Sequence, residues 1–284
     1  MADIKTLVDD IYKLFDNNNK EPTKSDLDMF AKNVCESIKT YLTEDNRDKP
    51  RKLRMSSLGK PARQLWYEFY RPDLREHLPP YVKIKFLYGH ILEELLLLLS
   101  RTSGHTVTDE QKQLTLEGIA GHQDANIDGW VVDVKSSSNF GFKKFKGNSL
   151  NRENDSFGYL SQIKAYGEAQ GNNKLAFLAI DKQSGALALC IPDDKEYPDI
   201  KKRIASLKKY LSDKENKPPR CYEDVEDGSS GNRKLGVECS YCAFKVDCWQ
   251  DVNDGKGLRK FIYSSGPRWL TVVKKEPNVM EDLA

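Results

Sequence analysis

The chain predicts an α/β protein: a mixed central β-sheet flanked by helices, with helices at the N-terminal end and a cysteine-bearing module at the C-terminal end. The order of elements in the middle of the chain, helix, three strands, helix, two strands and helix, is the first reason, because it places helices on the faces of a sheet that mixes strand directions. The second is the segment Trp130 to Lys135, which alternates with the period of two expected of a half-buried strand. The third is the distribution of cysteine, with four of the six lying beyond residue 217.

Along the chain, residues 2–16 and 24–44 show helical periodicity, carried by Leu7, Ile11, Leu14 and Phe15 and then by Leu27, Phe30, Val34, Ile38 and Leu42. Lys24-Ser25-Asp26 supplies a cap for the second helix. A basic connection containing proline leads to a helix over 62–70. Pro79-Pro80 then breaks the chain before a long apolar helix over 82–101. Strands are expected at 112–117, 119–127 and 130–135. A loop rich in Gly, Ser, Asn and Lys follows, then a helix over 156–170. Strands at 174–180 and 186–191 flank the turn Asp181-Lys182-Gln183-Ser184-Gly185, and a charged helix covers 194–213. Pro218-Pro219 marks a boundary, so the expected divisions are 1–54, 55–217 and 218–284. Phe261-Ile262-Tyr263 reads as a short strand; with Trp269, these aromatics either stack on unpaired bases or fix the C-terminal module in place.

Composition narrows the function classes. With 45 basic and 43 acidic residues in 284, no overall field recruits nucleic acid, so any such affinity must be local. One basic patch runs Arg47-Asp48-Lys49-Pro50-Arg51-Lys52-Leu53-Arg54 and continues to Lys60 and Arg63. A second is Lys143-Lys144-Phe145-Lys146. Either is a solvated surface or a set of phosphate contacts that position a duplex without reading it. The leucine run 95–99 is too short to span a bilayer, and residues 1–17 do not read as a signal peptide. The expectation is a cytoplasmic protein with reduced thiols and no membrane partner.

The chemistry gathers at a predicted tight turn. Asp128-Gly129 between two β-prone runs is a two-residue hairpin signal, since both central positions need positive φ. That register sets Ile127 against Trp130, Asn126 against Val131, Ala125 against Val132 and Asp124 against Asp133, with Lys135 on the same face as Asp133. Two like charges about 5 Å apart on a sheet are destabilising. At an effective dielectric near 20 the repulsion is roughly 3 kcal/mol, and a cation between the carboxylates would relieve it. Glu93, on a helix face with Phe86, Gly89 and Leu97, is a third acidic candidate. Its neighbour Glu94 is the alternative, and a rim position reaching solvent is the plainer reading of either. Hard oxygen donors without clustered histidines point to Mg²⁺ or Mn²⁺. In the same register His122 falls opposite Lys135, either assisting there or making an ordinary hydrogen bond.

The order Gly-x-x-x-Glu on a helix, Gly-x-x-Asp on a strand and Asp-x-Lys on the next strand resembles the PD-(D/E)XK nuclease superfamily. With Gln162-Ile163-Lys164-Ala165-Tyr166 on the following helix, it resembles the RecB-like exonuclease branch in particular. The resemblance covers about residues 55–250. It implies a restriction-endonuclease-like core in which Glu93, Asp124 and Asp133 bind the metal, Lys135 is catalytic, and Gln162 and Tyr166 support the site and the DNA. Without the resemblance, Gln162 and Tyr166 read as a helix face packed on the sheet. Lys143, Lys144, Lys146 and Arg63 are the expected DNA contacts.

Cys239-Ser240-Tyr241-Cys242 followed by Cys248 has the Cys-x2-Cys-x5-Cys spacing of iron–sulfur nucleases similar to AddB and to the CRISPR-associated exonucleases. Their fourth ligand lies in a segment resembling Ser56 to Tyr67, where this chain has proline and alanine instead. Cys221 is the available substitute. Four thiolates hold a [4Fe–4S] cluster or a zinc ion; a small domain with free thiols is the other reading. Cys190 and Cys35 read as core residues. The functional expectation is a metal-dependent deoxyribonuclease, an exonuclease of replication, recombination or repair with a helicase or recombination protein as partner. The alternatives are a structure-selective endonuclease and a catalytically silent DNA-binding scaffold.

Overall fold

The computed structural model describes residues 2–16, 20–43, 52–77 and 79–282. Arg47, Lys49 and Arg51 of the first basic patch lie outside the described residues. The helices are α1 (Leu7–Lys13), α2 (Lys24–Thr43), α3 (Ala62–Tyr70), α4 (Pro80–Ser103), α5 (Asn139–Lys146), α6 (Tyr159–Gln170) and α7 (Ile200–Leu211), then three four-residue turns, α8 (Val237–Ser240), α9 (Lys245–Cys248) and α10 (Val252–Gly255). The strands are β1 (Val107–Thr108), β2 (Gln113–Leu116), β3 (Ile119–His122), β4 (Ala125–Ile127), β5 (Trp130–Ser137), β6 (Leu175–Asp181), β7 (Leu187–Cys190), β8 (Val225–Glu226), β9 (Arg233–Lys234), β10 (Arg259–Tyr263), β11 (Gly266–Val272) and β12 (Glu281–Asp282). The chain divides into two compact units, one of residues 1–45, 53–59 and 78–205, the other of residues 46–52, 60–77 and 206–284.

The first unit is built on a five-stranded mixed sheet in the order β1-β4-β5-β6-β7, with helices on both faces, as a restriction-endonuclease-like fold requires. Only β5 and β6 run parallel. Their connection carries α5 and α6, which supply the crossover that parallel strands need. Val132 and Val134 of β5 and Ala176, Leu178 and Ile180 of β6 project to one face, where Leu96 and Leu97 of α4 and Leu7 and Ile11 of α1 close over them. The opposite face carries Val131, Asp133 and Phe177 beneath α5 and α6, with Phe145, Ile163 and Tyr166 all buried. Because β5 is covered on both sides, its period-two pattern separates two buried faces instead of a core from solvent. Behind α4 lies α2. Asn33 donates to Glu94 at 2.9 Å, and Asp26 meets Arg101 at the same distance.

The hairpin forms in the predicted register, with Ala125 opposite Val132, Asn126 opposite Val131 and Ile127 opposite Trp130. Asp128 and Gly129 both have positive φ, 49° and 79°, which matches the strand twist at a two-residue turn. The expected strand 119–127 is divided. Residues 119–122 pair with β2 in a separate two-stranded sheet, and only 125–127 join the central sheet. His122 therefore lies opposite Gln113 and is exposed, which removes it from the neighbourhood assigned to it beside Lys135. The expected loop after β5 contains α5. Ser138 caps it by accepting from the Gly141 amide, and Phe142 and Phe145 are buried one turn apart. The helix expected at 194–213 begins only at Ile200, after Pro198. Cys190 is buried, but Cys35 is exposed, contrary to its reading as a core residue.

The second unit has its own five-stranded antiparallel sheet, β12-β10-β11-β9-β8, and includes the strand expected around Phe261. Tyr67 of α3 stacks on Phe244 with centroids 5.3 Å apart, and the Arg75 guanidinium lies over the same Phe244 ring. Among the described residues no helix is long and apolar enough to cross a membrane.

Gly59 and Gly158 meet backbone to backbone in the first unit. A Cβ on Gly59 would stand 2.2 Å from the Gly158 Cα and 2.4 Å from its carbonyl oxygen. Backbone atoms cannot swing aside as a side chain can, so Gly59→Ala should destabilise by about 1–3 kcal/mol. Thermal unfolding should show a Tm several degrees below wild type; an unchanged Tm would mean the two segments separate without cost.

Candidate active site

Asp124, in the link between β3 and β4, and Asp133, in β5, lie side by side across the hairpin, and the Val134 amide donates to Asp124 Oδ2 at 2.7 Å. Asp133 is 1% exposed, and its Oδ1 accepts no hydrogen bond. Lys135 reaches back along β5 to pair with Asp133 Oδ2, and its Nζ lies 4.9 Å from the centre of the Tyr159 ring. Glu93 comes from α4, with Oε1 accepting from Gln111 Nε2 at 2.7 Å and His90 Nδ1 3.9 Å from Oε2. Glu94 is buried and accepts from Asn33 of α2, while its charge still acts on Glu93 and Asp124.

The electrostatics bind these groups into one cluster. Burial raises the Asp124 pKa from its ordinary 3.8 to about 7, with the Asp133 charge adding to the effect and Lys135 opposing it. Burial raises Asp133 as well, against the pull of Lys135. Glu93 is raised well above its usual range by burial and then by the charges of Asp124 and Glu94. Burial alone would lower the lysine, but Asp133 and Asp124 outweigh it, and Lys135 is held firmly protonated. Three carboxylates thus share one ammonium group, and near neutral pH the cluster keeps protons that a bound cation would displace.

Tyr166 is buried on α6, where Gln162 Nε2 donates to its hydroxyl at 3.3 Å. Burial, with the Asp133 charge behind it, raises the Tyr166 pKa, so the phenol stays neutral. Gln162 and Tyr166 therefore stand on the same face of the sheet as Asp133 and Lys135. Tyr159 was not anticipated from the sequence. It lies one turn before Gln162 on the same helix face, so extending the Gln-x-x-x-Tyr pattern back by three residues would have found it. Gln111 was also missed, and its position in a turn gave no sequence signal.

The predicted DNA contacts divide. Lys143 and Lys146 are exposed on α5. Lys144 points inward instead, donating to the Asn154 carbonyl at 3.2 Å among the rings of Phe145, Phe157 and Tyr159, with Nζ 5.2–5.8 Å from their centres. Burial lowers its pKa, and it is not presented as a phosphate contact. In the second unit, Arg63 donates to Cys248 Sγ at 3.1 Å and to the Pro218 carbonyl at 2.7 Å; its guanidinium is held within the protein.

Burial, with the charges of Cys242 and Cys248 adding to it, pushes the Cys239 thiol up to about 12, and burial with the charge of Cys248 pushes Cys242 up to about 11. Cys221 does not complete them. It is exposed, its Sγ directed at the Pro219 carbonyl at 3.8 Å, while the Arg63 guanidinium occupies the side of Cys248. The four-thiolate cage expected for an iron–sulfur cluster or zinc is not assembled by these side chains. Among the described residues no three His, Cys, Asp or Glu side chains stand in ligating geometry, and Glu93, Asp124 and Asp133 are no exception. The carboxylate cluster differs from the cysteines in its donor set, because its buried Asp133 Oδ1 has no donor to satisfy it. A hard divalent cation is the kind of group that would supply what that oxygen lacks.

No family model and no curated protein matches the chain. Among solved structures, SSO0001 covers 78% of this chain and 96% of its own, at 16% identity and a TM-score of 0.39. An alkaline exonuclease (LHK-Exo) from Laribacter hongkongensis covers 57% of this chain and 88% of its own, at 14% identity and a TM-score of 0.39. Likenesses at this level carry no argument about residue roles, which rest on the site itself.

Proposed function

We propose that the chain is a Mg²⁺- or Mn²⁺-dependent deoxyribonuclease of the PD-(D/E)XK type, a RecB-like exonuclease with its core over residues 55–217, serving DNA replication, recombination or repair. The observation that carries this reading is the buried pair of Asp133 with Lys135, on which the charges of Asp124 and Glu93 also bear. The three carboxylates would hold the divalent ion. When bound, such an ion polarises a phosphoryl oxygen and lowers the pKa of a coordinated water.

The chain's own groups do the rest. Lys135, kept protonated by Asp133 and Asp124 and backed by the Tyr159 ring, is unsuited to act as a base. Its role is to donate to the phosphoryl oxygen on which negative charge develops, a fixed dipole that needs no reorganisation during the reaction. Tyr166 and Gln162 wall the carboxylates off from water on the α6 side, which strengthens every charge interaction within. Lys143 and Lys146 offer non-specific contacts to a phosphate backbone.

Lys135→Ala and Asp133→Ala should each reduce cleavage of end-labelled DNA at least about a hundredfold while circular dichroism stays native, and EDTA should silence wild type. Persistent cleavage by Lys135→Ala would refute its assignment. Covalently closed circles should remain intact, whereas nicking would make the enzyme an endonuclease.

A second expectation concerns pH and metal together. With Asp124 pushed up to about 7, the folded, metal-free protein keeps a proton that the unfolded chain releases near the ordinary aspartate value. Stability from this group is therefore present at low pH and lost as pH rises from about 4 to about 7. Cation binding requires the ionised carboxylate, so Mn²⁺ should raise Tm more at about pH 8 than at about pH 5.5. Asp124→Asn should abolish most of that difference. Equal shifts at both pH values would remove Asp124 from the ligand set.

A further inference from the structure

The turn Asp109 to Lys112, between β1 and β2, is fastened on both sides of Asp124. The Gln123 amide donates to the Lys112 carbonyl at 3.2 Å, and the Gln123 side chain donates to the Asp109 carbonyl at 3.0 Å. Asn126 Nδ2 donates to Asp109 Oδ2 at 2.9 Å, and the Gln111 amide donates to the carbonyl of Asp124 itself at 3.1 Å. The same turn is tied to α4 at two points. Glu110 pairs with Arg101 at 2.6 Å, and Gln111 Nε2 donates to Glu93 Oε1 at 2.7 Å. An exposed amide on a carboxylate is ordinary by itself. Here one residue bonds through its backbone to Asp124 and through its side chain to Glu93.

Gln111 holds this position at φ 50°, where a residue with a Cβ is rarely found. Asp109 has a similar φ of 54°, but aspartate visits that region more readily, because its short side chain bonds locally. Glutamine lacks that advantage. Strained backbone of this kind persists where the surrounding structure holds it, and it gathers at functional sites. The type of side chain is informative as well. The charges of Asp124, Glu94 and Asp133 all bear on Glu93, and stability alone would be served best by an arginine or lysine against it. A cation in that place would neutralise the carboxylate and exclude a divalent ion. The amide satisfies one oxygen without adding charge. The other, Oε2, has His90 Nδ1 3.9 Å away, beyond hydrogen-bond reach, and stays available to a ligand.

As they stand, Glu93, Asp124 and Asp133 are not in ligating geometry. An ion has to gather them, and each side chain it must still order weakens its binding. We infer that Gln111 is a positioning residue for the divalent cation: its side-chain amide orients the Glu93 carboxylate while its backbone pins the Asp124 segment, so that Glu93 meets the ion through Oε2 with its other oxygen already engaged. Removing a hydrogen-bond partner of this kind costs metal affinity although every ligand remains. The inference rests on the metal reading proposed above, and its test separates the two.

Gln111→Gly keeps the main-chain bond to Asp124 and suits the positive φ, but it removes the amide. Gln111→Met keeps the length and the backbone strain and removes only the donor. Mn²⁺ binding to the full-length protein is followed by the electron paramagnetic resonance of the free ion, beside the Tm of the metal-free protein. Both variants should bind Mn²⁺ about tenfold more weakly than wild type, and the Mn²⁺ concentration for half-maximal cleavage should rise by the same factor. The metal-free Tm of Gln111→Gly should stay near that of wild type, since relief at positive φ offsets the greater freedom of the unfolded chain. Affinity unchanged or raised in either variant would overturn the inference. A fallen Tm with unchanged affinity would do the same, making Gln111 a support of the fold alone. Wild type that takes up no Mn²⁺ would sink the metal reading and the inference together. Gln111-dependent Mn²⁺ binding by a protein that never cleaves DNA would uphold the inference and sink the nuclease reading.

Discussion

The register of one hairpin governs the candidate site. Side chains on a strand alternate between faces, so a slip of one residue in the β4–β5 pairing would send Asp133 and Lys135 toward the leucines of α4 and turn Val132 and Val134 toward α6. Asp128-Gly129 prevents that slip by fixing the turn at two residues. Asp128 also anchors it: Oδ1 accepts from the Thr106 amide at 3.0 Å and Oδ2 meets His105 Nδ1 at 2.5 Å. His105 is buried, with its other ring nitrogen 3.4 Å from Asp10 on α1. The turn that sets the register is thus tied to the end of α4 and to the helix packed beside it. Glu93, Asp124 and Asp133 come from separate elements but share one mechanical frame.

That frame holds an arrangement that is unfavourable on its own terms. Buried carboxylates raise one another's pKa values, and Asp133 has a buried oxygen with no donor. A buried aspartate cluster with one lysine is a poor way to stabilise a sheet, since apolar residues of similar volume would do as well or better. The covering apolar contacts of Val131, Phe177, Ile163 and Tyr166 must outweigh that cost. Sites held against their own electrostatics are where function is expected, because the missing charge is what a ligand brings.

Much of this was legible in the sequence because it depends on local signals. The turn dipeptide, the period-two strand after it and the leucine-rich helix each specify their geometry within a few residues, and the hairpin forms in the register that they imply. The misreadings share a physical cause. His122 looked continuous with Asp124, but the chain changes partners between them: Gln123 is buried and its side chain donates to the Asp109 carbonyl at 3.0 Å, a long-range contact that composition cannot signal. The α5 helix was masked by glycine and asparagine at its ends, although Ser138, Phe142 and Phe145 carried the cap and the buried stripe. For Arg63, Lys144 and Cys221, residue type and spacing were suggestive, but their partners are set by packing: a thiol, a carbonyl and rings, or the Pro219 carbonyl.

The contrast within α4 ties these observations together. Its C-terminal half buries Leu96, Leu97 and Leu98 and ends where the Gly104 amide donates back to the Arg101 carbonyl, while its N-terminal half leaves Tyr81, Ile84, Phe86 and Tyr88 in water. Had the helix evolved only to cover the sheet, the exposed half would be a liability, since apolar side chains in solvent gain nothing for the fold and invite association. Glu93 falls at the junction between the halves. A helix anchored by its leucines presents the Glu93 carboxylate at a fixed position while its first turns extend past the sheet into solvent, so the rigidity of the carboxylate comes from the buried half alone.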